Sequence, residues 1–380
     1  MKKVFAIVLA VVMAVTMFAG CQPANSNGGA IKVGTSGPLT GDYAVYGVAV
    51  ANALELAFEE INAMGGLQFE VKAQDDEADG EKAVNAYNNL MDWGMQIMAG
   101  PTTSSSALAT AAECVNDKVF MLSPSASDAA VIATGSNVFQ ICFTDPNQGI
   151  GSADYIFNHK LATKVGVIYD SSSPYSAGIY TKFMEQAKKI GLNVVCEEAF
   201  TEDNKADLST QVVKCQEAGC DLVFLPVYTA EAAQVLTYAN KIGYDPKFFG
   251  CDGLDGILTV EGFDPKLAEG VMLLTPFDAT ATDEKTANFV KNYKEKYGDT
   301  PNQFAADAYD VAYAIYAACK AGNVTADMTA EQICTILMQQ FTSMTFDGLT
   351  GAAMTWSEDG AVSKDPKAVK IQNGVYIGLE

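Results

Sequence analysis

A chain of 380 residues exceeds the roughly 100–200 that one ordinary domain takes, so two domains or one large one are expected. With 49% hydrophobic and 18% charged residues it has the composition of a folded body, and it lacks the low-complexity tracts of a disordered one. The formal charge of −22, about −24 once Lys2 and Lys3 are set aside, excludes nucleic acid as a partner, because phosphate binding needs basic patches.

Lys2 and Lys3 precede VFAIVLAVVMAVTMFAG, an uncharged run that ends in small residues just before Cys21. This is the pattern of an export signal over residues 1–20, whereas a permanent span needs about 20 apolar residues and flanking anchors. FAGC resembles the lipobox of bacterial lipoproteins, with Phe18 where Leu is usual. The resemblance implies that Cys21 is acylated and becomes the new N-terminus, anchored to the membrane. The following QPANSNGGA reads as a flexible polar tether, so that residues 21–30 join anchor to body. Eight cysteines remain after Cys21, at spacings that match neither a zinc pattern nor a compact disulfide framework. Cys114, Cys319 and Cys334 fall in apolar helical stretches as buried thiols; Cys215 with Cys220 is the one close pair, and no bridge is expected there.

From Ile31 a short β-rich run, a turn and a helix of period near 3.6 recur. IKVGTSG leads to a helix ending at EEINAMGG, FEVKAQDD to one through EKAVNAYNNLMDWG, and QIMAG to a hydroxyl-rich helix start. Strands that alternate with helices form a parallel, doubly wound sheet. The pattern starts again with KVGVIYD, NVVCEEAF and DLVFLPV, which predicts a second α/β unit of similar layout. Later, FAADAYDVAYAIYAACKAG and TAEQICTILMQQF are successive helices, while AAMTW and AVKIQNGVYIGL are short strands. If the chain crosses back between two lobes, these late elements complete both sheets.

The usual enzymatic signals are missing. His159 is the only histidine, near the end of a predicted helix, and reads as a solvated surface residue rather than a catalytic base. There is no G-x-S-x-G, H-E-x-x-H or G-x-x-x-x-G-K-[ST], and GTSGPLTG lacks dinucleotide spacing, so no cofactor or metal is expected. AGPTTSSSALATAAE instead sets five hydroxyl residues, Thr102 to Ser106, where a strand ends and a helix opens. Free N–H groups and the helix dipole favour an anion there; without Lys or Arg the stretch suits a carboxylate better than a phosphate. One Ser is enough for a cap, which leaves the other hydroxyls to be explained. LSPSASDA follows the next strand, and neighbouring strand ends line one crevice. In the second half Tyr228 and Asp252 stand at strand ends, although an acid before Gly is commonly only a turn former.

In order, GPLTGDYAVYG, LELAFEEINAMGG, QDDEAD, AGPTTSSS, MLSPSAS, TDPNQG, VIYDSSSPYS, VYTAEAAQVL, FFGCDGL and DAYDVAYAIY resemble the solute-binding proteins of branched-chain amino acid ABC transporters, the leucine/isoleucine/valine-binding family. The resemblance implies the type I periplasmic-binding fold: two doubly wound Rossmann-like α/β lobes joined by a three-crossing hinge. Crossings near Thr144, Thr275 and Ala353 would make residues 31–144 with 276–353 the first lobe, and 145–275 with 354–380 the second. It implies further that Ser104 and the hydroxyl and N–H of Ser127 bind an α-carboxylate, and that the Ser125 carbonyl and the Asp252 side chain take an α-ammonium. Tyr46, Tyr175 and Tyr228 match positions where aromatics close over the ligand; for each, plain hydrophobic packing is the competing reading. Thr102 and Thr103 stand where relatives selective for aliphatic side chains are less polar, while Ala126 and Phe304 keep part of the pocket apolar, which implies a ligand smaller or more polar than leucine. DDEADGEK lacks the Cys that pairs with one near the cradle in some relatives.

The expected protein is thus an extracellular, lipid-anchored monomer that closes on a free α-amino acid and delivers it to an ABC permease, and it is not an enzyme. The alternatives are the same fold binding an amide or an aromatic acid, or a ligand-sensing ectodomain; against the latter, no transmembrane or output segment precedes Glu380.

Overall fold

The computed structural model describes residues 29–364 and 367–379. The expected export signal, Cys21 and most of the expected tether lie outside these residues. The first sheet holds five parallel strands in the order β2-β1-β3-β4-β5: β1 (Ile31–Gly37), β2 (Phe69–Asp75), β3 (Ile97–Met98), β4 (Phe120–Ser123) and β5 (Val138–Gln140). The second holds seven in the order β12-β11-β10-β9-β8-β6-β7. Of these, β6 (Val165–Asp170), β7 (Val194–Phe200), β8 (Leu222–Leu225), β9 (Lys247–Gly250) and β10 (Met272–Thr275) are parallel. The hairpin β11 (Lys367–Gln372) and β12 (Val375–Gly378) adds two antiparallel strands. The order β7-β6-β8-β9-β10 repeats the layout of the first sheet, so the chain is built on two copies of one α/β plan, as the alternating pattern predicts.

Each sheet is covered on both faces, which is why its parallel strands are near-continuous apolar runs. On one face of the first sheet lie α1 (Ala44–Ala63), α9 (Glu284–Tyr297), α10 (Gln303–Ala321) and α11 (Ala330–Phe341), through Leu54, Phe58, Phe289, Ile315 and Phe341. On the other lie α2 (Gly80–Trp93) and α3 (Ser104–Asp117), through Tyr87, Leu90, Ala107 and Cys114. The short α4 (Ala129–Ile132) precedes β5. The second sheet carries α5 (Asp145–Asn158) and α6 (Pro174–Ile190) on one face, and α7 (Ser209–Glu217) and α8 (Thr229–Lys241) on the other. Local signals set the helix ends: in α6, Ser173 caps the Ser176 N–H, Pro174 opens the first turn and Gly191 closes it in the left-handed region. His159 is exposed at the end of α5, stacked on Tyr155.

The chain leaves the first sheet after β5, and after β10 it returns to helices packed on that sheet. The third passage falls later than the expected Ala353. Met354 and Trp356 are buried in the first lobe's core, and the Trp356 indole N–H donates to the Gln140 carbonyl at 2.9 Å. Buried Lys364 then bonds the Asp307 carboxylate of α10 at 2.7 Å, so residues 354–364 stay on the first lobe and only the β11–β12 hairpin joins the second. AAMTW forms isolated bridges, Phe346 to Met354 and Trp356 to Val362, rather than a strand.

The α5–α6 contact that opens the second lobe is close: a methyl group on Gly149 would lie 2.5 Å from the Ile179 carbonyl oxygen and 2.7 Å from the Phe183 nitrogen. Both are backbone atoms that cannot step aside. Gly149→Ala is expected to lower stability by about 1–3 kcal/mol, read from the midpoint of urea unfolding.

Candidate functional site

Open α/β sheets bind ligands outside the carboxyl ends of their strands, where the strand order reverses. In this molecule that point in the first sheet, between β1 and β3, faces its counterpart in the second, between β6 and β8. The space between them is lined by Tyr46, Thr102, Thr103, Ser125 and Phe304 from the first lobe and by Tyr175, Tyr228, Asp252 and Gly253 from the second. These side chains leave about 250 Å³ between them, most of it in crevices too narrow for a water molecule. The lobes are therefore drawn tightly together at this point.

Asp252 follows β9 and opens a single 3₁₀ turn, Asp252–Leu254, that turns its carboxyl into the seam. The Tyr175 hydroxyl donates to Asp252 Oδ1 at 2.7 Å and accepts from the Gly253 N–H at 2.9 Å. The Asp252 N–H donates to Gln148 Oε1 at 3.1 Å. Burial pushes the Asp252 carboxyl up to about 7, against the bonds that favour its ionised form. Tyr175 lies parallel to Tyr228 with ring centroids 4.8 Å apart, and Tyr46 packs edge-on against Phe304 at 4.7 Å. The Tyr46 hydroxyl crosses the seam: it donates to the Gly253 carbonyl at 2.6 Å and accepts from the Thr229 N–H at 2.7 Å. All three aromatics expected to close over a ligand thus meet here, and two of them are hydrogen-bonded beyond simple packing.

Opposite Asp252, Thr103 stands at the N-cap of α3 but its side chain bonds no backbone N–H of the helix, which leaves the first-turn N–H groups without a side-chain partner. Thr103 Oγ1 bonds Ser106 Oγ at 3.1 Å, Thr102 Oγ1 donates to the Ser36 carbonyl at 3.2 Å, and Ser125 Oγ donates to the Thr102 carbonyl at 2.7 Å. Three expected ligand residues do not line the space. Ser104 is buried as the first residue of α3, where its Oγ accepts from the Asp128 N–H at 3.3 Å. Ser127 is buried with a hydroxyl that has no hydrogen-bond partner. Ala126 packs instead in the core that α2 and α3 form with the first sheet, in one cluster with Met98 and Met121.

Several residues of this site were given no role from sequence. Gln148 and Asp145 lie within TDPNQG, which was read only as a family motif. Asp145 is fully buried at the start of α5, with neither carboxylate oxygen hydrogen-bonded, and burial holds it well above the usual carboxylate range. At the mouth, Tyr43 donates to Glu231 Oε1 at 2.6 Å and accepts from Lys205 Nζ at 2.9 Å, a second bond set across the seam. The Tyr at 43 was the available signal, since a second aromatic three residues before Tyr46 falls on the same helical face.

Two facing α/β lobes with their strand ends turned to one enclosed polar seam define a bilobal solute-binding protein. The chain belongs to the periplasmic binding protein family, which it matches over residues 30–375. It is 27% identical over 358 residues to the Leu/Ile/Val-binding protein homolog 3 of Brucella melitensis, covering 92% of this chain and 94% of that one. Among solved structures it is similar to the branched-chain amino acid transporter substrate-binding protein LivJ from Streptococcus pneumoniae in complex with isoleucine. That likeness has a TM-score of 0.82 and 26% identity, over 92% of this chain and all of the other. A Rhodopseudomonas palustris solute-binding protein in complex with benzoate shares the fold at a TM-score of 0.82 and 20% identity, over 92% and 96% of the two chains. The fold is the type I periplasmic-binding fold, and the protein is a periplasmic binding protein of the branched-chain amino acid transporter type. Among the described residues, no helix is long and apolar enough to cross a membrane.

The folded-state Asp252 carboxyl is raised, so the native state holds its proton more tightly than the unfolded chain does. Stability from this group is full below the unfolded value near 4 and is lost as pH rises towards about 7. Asp252→Asn removes that loss. The variant is expected to melt several degrees higher than the parent at pH 8, with the gap closing by pH 4–5 when both are scanned without added solute.

Proposed function

We propose that the protein is an exported lipoprotein that captures a free α-amino acid, branched-chain or small and neutral, by closing its lobes and hands it to the permease of an ABC transporter. The observation that carries this reading is the pairing of an acid with an anion-seeking helix start. Asp252 lies on one lobe and the uncapped N-terminus of α3, with its hydroxyl residues, on the other. A zwitterion matches both at once. Its ammonium would face the Asp252 carboxylate and the Ser125 carbonyl, and its carboxylate the first turn of α3 with Ser104 and Ser127.

Because each lobe offers only one half of the complementary charge, only the closed arrangement satisfies both ends of the ligand. Ligand contacts therefore select closure, and the Tyr46 and Tyr43 bonds across the seam reinforce it. The seam is too tight for an amino acid as it stands, so entry requires the lobes to part and the Tyr175–Asp252 bond to be exchanged for one to the ammonium. Thr102 and Thr103 on the wall favour a side chain smaller or more polar than leucine; Tyr46, Tyr228 and Phe304 supply the apolar remainder. Acylation at Cys21 would hold the protein at the membrane beside its permease, acting as a monomer. The relatives named as Leu/Ile/Val-binding proteins point the same way.

The test is calorimetric titration of refolded, solute-free protein with leucine, isoleucine, valine, alanine, threonine and benzoate. At least one amino acid is expected to bind with a Kd near the micromolar range, about −8 kcal/mol, and Asp252→Ala to weaken it at least 100-fold while the fold persists. An ammonium needs the ionised carboxylate, and Asp252 titrates at about 7, so affinity is expected to fall about tenfold per pH unit below 7 with proton release on binding. Benzoate binding in place of every amino acid would overturn the reading.

A further inference from the structure

At the end of the second sheet away from the seam, the close pair Cys215 and Cys220 meets a third thiol, Cys196, from further back in the sequence. Cys196 lies on β7, Cys215 on α7 and Cys220 just before β8. Their sulfur atoms all lie within 4.8 Å of one another, with Cys196 Sγ and Cys215 Sγ 3.7 Å apart. Backbone geometry sets this arrangement. The pairing of β6 with β7 slips at Val165/Gly166, so that Cys196 stands opposite Gly166 and its side chain turns to the face covered by α7. On that face Gly166 is the floor of the cluster: a methyl group there would lie 2.9 Å from Cys220 Sγ and 3.0 Å from Cys215 Sγ. Only a residue without a side chain leaves room for both sulfurs.

We propose that Cys196, Cys215 and Cys220 form a binding site for a thiophilic d¹⁰ metal ion, Zn²⁺ or Cu⁺ by class, separate from the solute site. A metal bonded to sulfur at about 2.3 Å holds its thiolates about 3.8–4.0 Å apart in tetrahedral or trigonal geometry, close to the 3.7 Å between Cys196 and Cys215 and inside the 4.8 Å that bounds all three pairs. Soft thiolates select ions of this kind over hard cations. Among the described residues these are the one cluster of three side chains able to ligate a metal together. Cys215 and Cys220 are buried, whereas Cys196 is half-exposed at the sheet edge, so an ion enters past Cys196 and keeps one position open to water. As each sulfur–metal bond forms, that thiol gives up its proton to solvent. Charges of both signs stand near the thiols: Lys214 pairs with Glu198, two residues beyond Cys196, while Lys164 and Asp221 act oppositely on Cys220. The Cys spacings in sequence, 18 and 4 intervening residues, match no zinc pattern because one ligand comes from a neighbouring strand.

The test titrates reduced, metal-free protein with Cd²⁺ under anaerobic conditions and reads the ultraviolet sulfur-to-cadmium charge-transfer absorption. One equivalent is expected to saturate it, and added Zn²⁺ to displace it. Cys215→Ser and Gly166→Ala are expected to weaken Cd²⁺ binding at least tenfold, Cys334→Ser, outside the cluster, to leave it unchanged, and amino-acid affinity to be the same with and without the ion. If Cys215→Ser unfolds, Cys196→Ser at the exposed edge carries the same expectation. The proposal is overturned if no charge-transfer band forms with the thiols shown to be reduced, if the band survives both serine variants, or if the thiols close to a disulfide that Cd²⁺ cannot prevent.

Discussion

Taking a carboxylate out of water costs several kcal/mol unless its oxygens are bonded, and the Asp252 carboxyl has been taken out of water with the Tyr175 hydroxyl donating to one oxygen. The group is left wanting a cation. Asp145, buried nearby with neither oxygen hydrogen-bonded, is held well above the usual carboxylate range by that burial and offers Asp252 no positive charge. Such a seam is unfavourable when closed on itself and becomes favourable when a positive group enters. The stacked Tyr175–Tyr228 pair, the bridging hydroxyl of Tyr46 and the turn at Asp252–Leu254 can each be understood as holding that carboxyl in a defined place despite the cost.

The same constraint accounts for the division of labour between the lobes. The first lobe presents backbone N–H groups and neutral hydroxyls, and the second presents the acid and most of the aromatic cover. If both charges were matched from one lobe, a solute would bind with the protein open and nothing would drive closure. Separation across a seam makes the solute itself the link. The outer bonds join half-buried Tyr43 of the first lobe to buried Glu231 and half-buried Lys205 of the second. Their value is in fixing the angle at which the lobes meet.

The fold was largely legible because its signals are local and repeated: apolar runs buried on both faces, glycine and hydroxyl punctuation, and one α/β plan used twice. The third passage was misplaced because Ala353 precedes residues whose attachment is decided at long range, by the Trp356 indole on Gln140 and by Lys364 on Asp307. Neither partner is within 50 residues of its mate in sequence. At the site, the residues that follow strand ends directly, such as Asp252, Tyr228 and Thr102, could be found by position. Gln148 and Asp145 could not, since on α5 they look like an ordinary polar first turn, and only the approach of β9 makes them neighbours of Asp252. The three-thiol cluster was hidden for a similar reason: a one-residue slip between β6 and β7 chooses the face on which Cys196 falls.

The late return of the chain bears on how the molecule comes into being. The first lobe's core takes in α9, α10, α11 and Trp356, and the second sheet is finished only by β11 and β12 at residues 367–378. A nascent chain that has reached β10 therefore holds two unfinished halves, each with apolar surface still bare. Neither half is a unit that can settle early while the rest is being made. Synthesis from one end to the other leaves the chain loosely organised until its last strands emerge, the condition a polypeptide must keep if it is to be threaded through a narrow pore before it folds.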